Sequence, residues 1–460
     1  MTTNYPGLSF WMDSIELPAV QRSPIDAPAE FDVAIVGGGL TGLWTAYYAK
    51  IADPNLNVAV FEREICGFGA SGRNGGWASA LFPQSMASLA ARFGRSAAIA
   101  MVQAMVDSLV EVRRVVAAEG IECDLHAGGT LTFGRTKVQV AKLRSELGEA
   151  REFGFGEDYL RFLDKSETDE RMRASGTLSS LFTPHCARIQ PAKLVRGLAE
   201  VCERIGVKIF EGSRVLAIAP GRVEFERFSV KAGKVIRATE GYTSQLRGEH
   251  RTLMPIYSMM IATEPLDREQ LDSIGWANRE TFTDARSMII YGQLTSDGRI
   301  AFGGRGAPYH FGSRIGGAFD RDVEVAALLR QSLIELFPSL AKVGVTHHWG
   351  GPLGVPRDWM ASVGLDNESG IGWAGGYVGD GVTTTNLAGR TLADLICSTD
   401  SALVRLPWVG HRSRKWEVEP LRFAGVNLAI RLTKAADRRE SNGTPHPWQG
   451  RLADLVRGRT

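Results

Sequence analysis

The chain's 460 residues exceed one ordinary domain and are enough to bury two cores. Hydrophobic residues make up 44% and charged residues 23%, the balance of a folded globular chain, which excludes a disordered or fibrous polymer. The 53 lysines and arginines stand against 51 acids, so a net charge of +2 gives no general attraction to a polynucleotide, and no nucleic-acid partner is expected.

Residues 1–30, with Pro6, Pro18, Pro24 and Pro28, read as an extended arm. Residues 1–14 lack a basic region followed by an apolar run, so no secretory signal is expected there. No stretch approaches the roughly 18 apolar residues of a membrane span. A strand follows over 31–36, then a glycine turn, a helix over about 41–52, a break at Pro54 and a second strand over 58–61, which together make a βαβ unit. Glycine is dense over 67–76. Leu89, Met101, Met105, Leu109 and Val112 then keep helical spacing through 85–119. Further helices are expected over 136–152 and from Pro191 to about Arg204, the latter with Gly206 just past its end. Strands are expected at 207–210 and 215–218.

From Tyr257 the pattern turns to strand-like runs at 257–263, 287–291 and 299–302, separated by turns such as Ser296-Asp297-Gly298, and these read as part of a substrate-side sheet. A last glycine-rich run, 373–381, leads into a helix over 383–396. Beyond Ser398 comes a basic tail. Arg412, Arg414, Lys415, Arg422, Arg431, Lys434, Arg438 and Arg439 alternate with Leu421, Phe423, Leu428, Ile430 and Leu432. Such a helix could lie on an acidic membrane surface or a partner. Glu417, Glu419, Asp437 and Glu440 dilute its charge, and packing on its own protein is the preferred reading.

The segment DVAIVGGGLTGL sets Gly37, Gly39 and Gly42 in GxGxxG spacing between a strand and a helix. The first glycine permits a tight turn, the second a close approach of backbone to a pyrophosphate, and the third close helix packing. The helix N-terminus supplies free N–H groups and positive potential. Glu62 ends the second strand 20 residues after Gly42, where a carboxylate would bind adenosine ribose hydroxyls. This unit does not by itself separate FAD from NAD. Three later features favour FAD: Arg63 with the glycine- and serine-bearing loop 67–76; the segment GGYVGDGVTTTNLAGRTLADLI, whose helix start could face the flavin's N1 and C2 carbonyl; and VIRATEGYT, where Ala238 and Thr239 would return the chain to the cofactor.

In these segments the chain resembles the FAD-dependent oxidoreductases of the D-amino-acid oxidase superfamily, and within it is similar to the gamma-glutamylputrescine oxidase group. The match is carried by DVAIVGGGLTGL, CGFGASGRNGG, RIQPAKLVRGLA, YSMMIATEPL, RIAFGGRG, HHWGGPLGVPRDWMASVG and the closing glycine-rich segment, over about 31–396. The resemblance implies an α/β plus α+β fold. A discontinuous Rossmann-type FAD-binding domain (31–85, 186–250 and 346–400) would accompany a mixed β-sheet substrate domain (86–185 and 251–345). The arm (1–30) and a basic helical C-terminal extension (401–460) would flank them. It also implies FAD contacts at Gly37, Gly39, Gly42, Glu62, Arg63, Ser71, Asn74, Gly75, Val215, Gly381, Val382 and Thr383. Ala238 joins them by its place in the chain, and Arg73 would lie beside the flavin edge. Some members attach FAD through a histidine in the glycine loop or a cysteine near Trp349. Here Arg73 and the Trp349-Gly350-Gly351 run stand at those places, so non-covalent FAD is expected.

The implied activity is oxidation of a C–N bond in a small amine or amino acid, with hydride transfer to flavin, imine hydrolysis to an aldehyde or keto acid, and electrons passed to dioxygen. A gamma-glutamylated or free polyamine is the first substrate reading. A secondary amino acid such as sarcosine, a dehydrogenase serving a quinone or carrier protein, and a non-catalytic flavin scaffold are the alternatives. Candidate catalytic residues are Arg305, Tyr291, Trp349 and Asp380, and candidate substrate-wall residues are Tyr257, Met259 and Tyr309. Arg305 could pair a carboxylate or be structural. Trp349 or Tyr291 could pack on a substrate cation or be core. Asp380 could attract an ammonium or cap its helix. No metal is expected, since His347-His348 has no third ligand at recognisable spacing. Five scattered cysteines without a CxxC suggest neither disulfides nor zinc, and with them a reducing cytoplasm.

Overall fold

The computed structural model describes residues 4–17, 22–305 and 309–441, with only the backbone described for Arg305 and for 436–441. Two eight-stranded sheets organise the chain. The first runs Ser362–Asp366, Ile371–Gly375, Ser229–Arg237, Glu30–Val36, Val58–Phe61, Lys208–Phe210, with a flap of Arg222–Glu224 and Ala217–Ala219 at one side. Its centre is parallel: Glu30–Val36 pairs with Ser229–Arg237 and with Val58–Phe61, which pairs in turn with Lys208–Phe210. Parallel neighbours need crossovers, and helices Leu40–Ala52 and Pro191–Arg204 supply them. Both faces are therefore covered, which is why Val33, Ala34, Ile35, Val58, Ala59 and Val60 are all buried rather than alternating.

Helices Leu40–Ala52 and Gly381–Ile396 pack against each other, and both touch strands of that sheet. The contact is close enough that a Cβ on Gly389 would stand 2.6 Å from the Cβ of Trp44. The second sheet runs Val345–Val355, Met254–Thr263, Ile300–Arg305, Ile290–Leu294, Thr281–Asp284, Thr130–Gly134, Ser179–Thr183, Arg161–Leu163. It is antiparallel except where Thr281–Asp284 meets Thr130–Gly134. Helix Val323–Leu336 covers one of its faces through Leu329, Leu333 and Leu336. A two-stranded ribbon, Trp77–Ser79 with Cys186–Arg188, lies where the chain passes between the sheets.

Several expectations are corrected. The arm holds a short helix, Phe10–Asp13, capped by the Ser9 hydroxyl and carrying the buried Phe10, Trp11 and Met12. The run 85–119 is two helices, Met86–Phe93 and Arg95–Ala118, parted at Gly94, whose φ of 89° ends the first. Two elements cross the expected division. Helix Arg95–Ala118 packs Met101, Met105, Leu109 and Val112 into the core of the first sheet, and strand Val345–Val355 pairs in the second. The C-terminal helix, Leu421–Ser441, packs on its own protein: Val426 joins a cluster with Met254, Val355 and Trp359, and Arg422 pairs with Glu419 at 2.9 Å. Its far end, with Arg438 and Arg439, lies outside the described side chains. Among the described residues no helix is long and apolar enough to cross a membrane.

Candidate functional site

The turn after Glu30–Val36 is shaped by its glycines. Gly37 sits at φ 115°, and a Cβ there would stand 2.4 Å from the carbonyl oxygen of Ala238. A Cβ on Gly42 would meet the Gly37 carbonyl oxygen at 2.0 Å, so the third glycine lets the helix close on the turn. Glu62 is held at the end of its strand because its carboxylate accepts N–H bonds from Gly38 at 2.8 Å and Glu64 at 3.0 Å. Burial raises its pKa, and the two N–H donors work against that rise. The hydroxyl of Ser71 accepts from the Leu40 amide at 2.9 Å and draws the glycine loop over the helix N-terminus.

These pieces border a cleft that is open at its mouth and encloses about 1220 Å³ of empty space when the open solvent there is included. The opposite wall comes from the segment after Ser229–Arg237. Tyr242 is packed beneath the guanidinium of Arg63, 5.2 Å from its ring. Glu240 turns the chain at φ 39° and accepts the Gly376 amide at 2.8 Å. Its carboxyl is pushed from 4.5 to about 7 by burial, in spite of backbone N–H donors from Gly376, Tyr377 and Gly354. Tyr377 shares a hydrogen bond of 3.0 Å with Thr41 across the cleft, tying the front of the chain to its closing segment. Gly381, Val382 and Thr385 bring in a second helix N-terminus, and Thr383 Oγ1 is buried there without a partner.

The cleft fits a dinucleotide. Side chains on its glycines would close it, and two helix N-termini offer N–H groups to anionic ligand atoms. Neither histidine nor cysteine is among its lining residues.

Of the expected cofactor residues, Gly37, Gly39, Glu62, Arg63, Ser71, Asn74, Val215, Ala238, Gly381 and Val382 line this cleft. Gly42, Gly75 and Thr383 stand behind the lining. Arg73 does too: its Nε donates to the Phe68 carbonyl at 2.8 Å, and its buried guanidinium pairs with Asp320 at 2.6 Å. Sequence reasoning missed Phe68, Glu240, Tyr242 and Tyr377. Glu240 and Tyr242 lie inside the ATEGYT segment already singled out, so their signal was position in the chain rather than residue type.

The expected substrate and catalytic residues are not brought together at the cleft. Tyr257 and Met259 point to the sheet face that packs on helix Val323–Leu336, while Ser258 and Met260 occupy the other face. Tyr309 donates to Glu419 at 2.6 Å, beside the C-terminal helix. Trp349 is buried against Phe10 and Trp11 and donates its Nε1–H to the Arg73 carbonyl at 2.9 Å. Asp380 precedes helix Gly381–Ile396 without a side-chain cap bond. Tyr291 comes nearest. Its ring packs on Gly75 of the glycine loop, and its hydroxyl shares a 2.8 Å hydrogen bond with Ser258. Arg305 ends its strand with its side chain outside the described residues.

A family profile described as DAO, FAD dependent oxidoreductase, matches residues 32–395. A probable oxidoreductase OrdL of Rhizobium meliloti (strain 1021) is 30% identical over 409 residues, covering 86% of this chain and 90% of its own. The gamma-glutamylputrescine oxidoreductase of Escherichia coli (strain K12) is 29% identical over 371 residues, covering 79% and 83%. Among solved structures, glycine oxidase from Geobacillus kaustophilus superposes with a TM-score of 0.69 at 19% identity, covering 83% of this chain and all but 1% of that one, a likeness of fold.

Proposed function

Because the chain belongs to the DAO family of FAD-dependent oxidoreductases, we propose that it oxidises the carbon–nitrogen bond of a gamma-glutamylated or free polyamine and passes the electrons to dioxygen. FAD is the cofactor, held without a covalent link. Arg73 and the Trp349-Gly350-Gly351 run occupy the loop positions where a linking residue would stand, and the lining offers no histidine or cysteine. When bound, FAD supplies the acceptor for the hydride that leaves the carbon next to nitrogen.

The chain's own residues supply position. Gly37 and Gly39 admit a pyrophosphate to the N-terminus of helix Leu40–Ala52, and the Glu62 carboxylate stands where ribose hydroxyls can donate to it. The first turn of helix Gly381–Ile396 offers its N–H groups to the far end of the cleft, where developing negative charge is stabilised. Ser258, Met260 and Tyr291, on the sheet face turned toward the glycine loop, form the substrate side in this reading. The imine product hydrolyses in water to an aldehyde, and its nitrogen leaves as ammonia from a primary amine or as an amine from a secondary one.

The observation that carries the reading is the convergence on one cleft of glycines from the front of the chain, Gly37 and Gly39, and from its close, Gly379 and Gly381. The polyamine reading takes its support from the 29% identical gamma-glutamylputrescine oxidoreductase, and a cytoplasmic location from five unpaired cysteines. The test is anaerobic mixing of the FAD-loaded protein with gamma-glutamylputrescine, putrescine, sarcosine and glycine while following the visible flavin bands. Bleaching by the first two is expected, with hydrogen peroxide appearing in air. Bleaching by sarcosine or glycine alone would replace the substrate, bleaching without peroxide would replace dioxygen with another acceptor, and no bleaching at all would remove the activity.

A further inference from the structure

A second cavity, about 580 Å³ of empty space when the open solvent at its mouth is included, lies on the other side of the Gly75–Gly76 turn from the cofactor cleft. Gln293 links the two. Its amide Nε2 donates to the carbonyls of Gly75 at 2.8 Å, Gly76 at 3.0 Å and Ile189 at 3.1 Å, while its Oε1 is buried with no donor. Three carbonyl partners fix which end of the amide is nitrogen.

Arg188 lines the same cavity at 6% exposure. Its Nε has no hydrogen-bond partner, and among the described residues no carboxylate forms an ion pair with it. The neighbouring acid, Asp124, is already engaged: Lys193 reaches both of its oxygens at 3.1 Å, and the Ser296 hydroxyl donates to one at 2.9 Å. Burial and the nearby Arg279 both press on the Arg188 charge, with Asp124 as the one opposing influence. Nearly every other buried arginine here has an acid: Arg73 has Asp320, Arg196 has Glu211 and Arg422 has Glu419. A buried guanidinium without a counter-ion is costly unless an anion joins it. The remaining walls suit a particular anion. Phe10 and Trp11 give an apolar side for a short carbon chain. Asp124 and Asp297, also in the lining, are paired with Lys193 at 3.1 Å and with Arg299 at 2.8 Å, which leaves Arg188 as the lining charge without a partner.

We propose that this cavity binds the head of an amino acid through its carboxylate, which pairs with Arg188. Guanidinium pairs a carboxylate through two parallel N–H donors, which an ammonium side chain cannot reproduce. The site stands independently of the oxidation proposed above, because its occupancy is read by binding and not by turnover.

The experiment is isothermal titration of the FAD-loaded protein with L-glutamate, glutarate and putrescine. L-Glutamate is expected to bind at least tenfold more tightly than putrescine, and glutarate to displace it while putrescine does not. Arg188→Met is expected to weaken L-glutamate at least tenfold, with Arg188→Lys falling between. The titrations of the unsubstituted protein decide the matter even if Arg188→Met fails to fold. No L-glutamate binding, displacement by putrescine, or unchanged affinity in a folded Arg188→Met protein overturns the site. Gamma-glutamylputrescine distinguishes the sources. Displacement of L-glutamate assigns the head to the substrate, and binding alongside it assigns the cavity to a separate small molecule; either supports the site. A protein whose flavin never bleaches but which binds L-glutamate loses the activity and keeps the cavity.

Discussion

At the scale of single residues, Glu240 carries the clearest pH signature. It is buried where the first sheet's Gly375-Gly376 meets Gly354 of the second, in a left-handed conformation that side chains adopt at a cost. Its folded pKa, about 7 against an ordinary 4.5, means that the folded state prefers the neutral carboxyl. The resulting stabilisation is therefore complete below pH 4.5 and is lost as pH rises through about 7. The loss between pH 5 and pH 8 should be about 2–3 kcal/mol. Glu240→Gln has no proton to lose, so the difference in unfolding free energy between variant and parent should shift in the variant's favour by that amount over the same range. Denaturant unfolding of the FAD-free proteins at several pH values checks this, and parallel pH curves would show that this carboxyl is not the source. Arg73 and Asp320 form a different kind of pair, in which each depends on the other for charge compensation. Asp320→Ala would leave the guanidinium, 1% exposed, without its acid and should cost about 3–5 kcal/mol. An Arg73→Met, Asp320→Leu double variant should lose less than Asp320→Ala alone, because no buried charge is then left unpaired; a larger loss in the double variant would contradict the pair's role.

At the scale of elements, what the sequence made legible depended on whether a local pattern and the tertiary structure agreed. The βαβ unit came out within a residue at each boundary because strand patterning, the glycine spacing and the terminal Glu62 all say the same thing. The helix Phe10–Asp13 did not. Four residues are too few to show a period, and what holds them is distant: Ser9 Oγ donates to the Gly72 carbonyl at 2.9 Å, Trp11 Nε1 to the Asn74 carbonyl at 2.8 Å, and Gln190 to the Trp11 carbonyl at 2.8 Å. Helical spacing also ran unbroken across Gly94, because apolar periodicity does not register a φ of 89°. Tyr257 and Met259 fall on one face by simple alternation, but alternation cannot say which face meets the cofactor loop. The overlooked helix makes a prediction. Trp11 is 1% exposed and braces the loop that carries Ser71 and Asn74, so Trp11→Ala should cost about 3–5 kcal/mol of stability. Trp11→Phe keeps most of the packing and gives up the bond to Asn74. It should therefore raise the FAD dissociation constant severalfold, about 1 kcal/mol, with a smaller loss of stability. Flavin fluorescence titration of the FAD-free protein measures this, and unchanged FAD affinity in both variants would show that the helix braces the fold without bracing the cofactor.

At the scale of the whole molecule, the cofactor cleft takes walls from both halves. Gly37, Glu62 and Ala238 come from the ends of first-sheet strands, Pro352 and Leu353 from a strand of the second sheet, and Gly381 from the start of helix Gly381–Ile396. A ligand seated there contacts segments separated by more than 300 residues in the 460-residue chain, so its binding energy is spread over both sheets. Anything that binds the folded state alone raises stability by RT ln(1 + [L]/Kd), about 4 kcal/mol when free FAD stands a thousandfold above its dissociation constant. Because both halves share the cleft, that gain should move one cooperative calorimetric transition upward by several degrees rather than splitting it in two. The same geometry predicts that acid precipitation releases the flavin into the supernatant, since no linking side chain faces the cleft among the described residues. Two transitions, of which FAD shifts only one, would mean that Pro352 and Leu353 border the cofactor without sharing in its binding; a protein that neither turns yellow nor gains stability with FAD would mean that the glycines meet for some other reason.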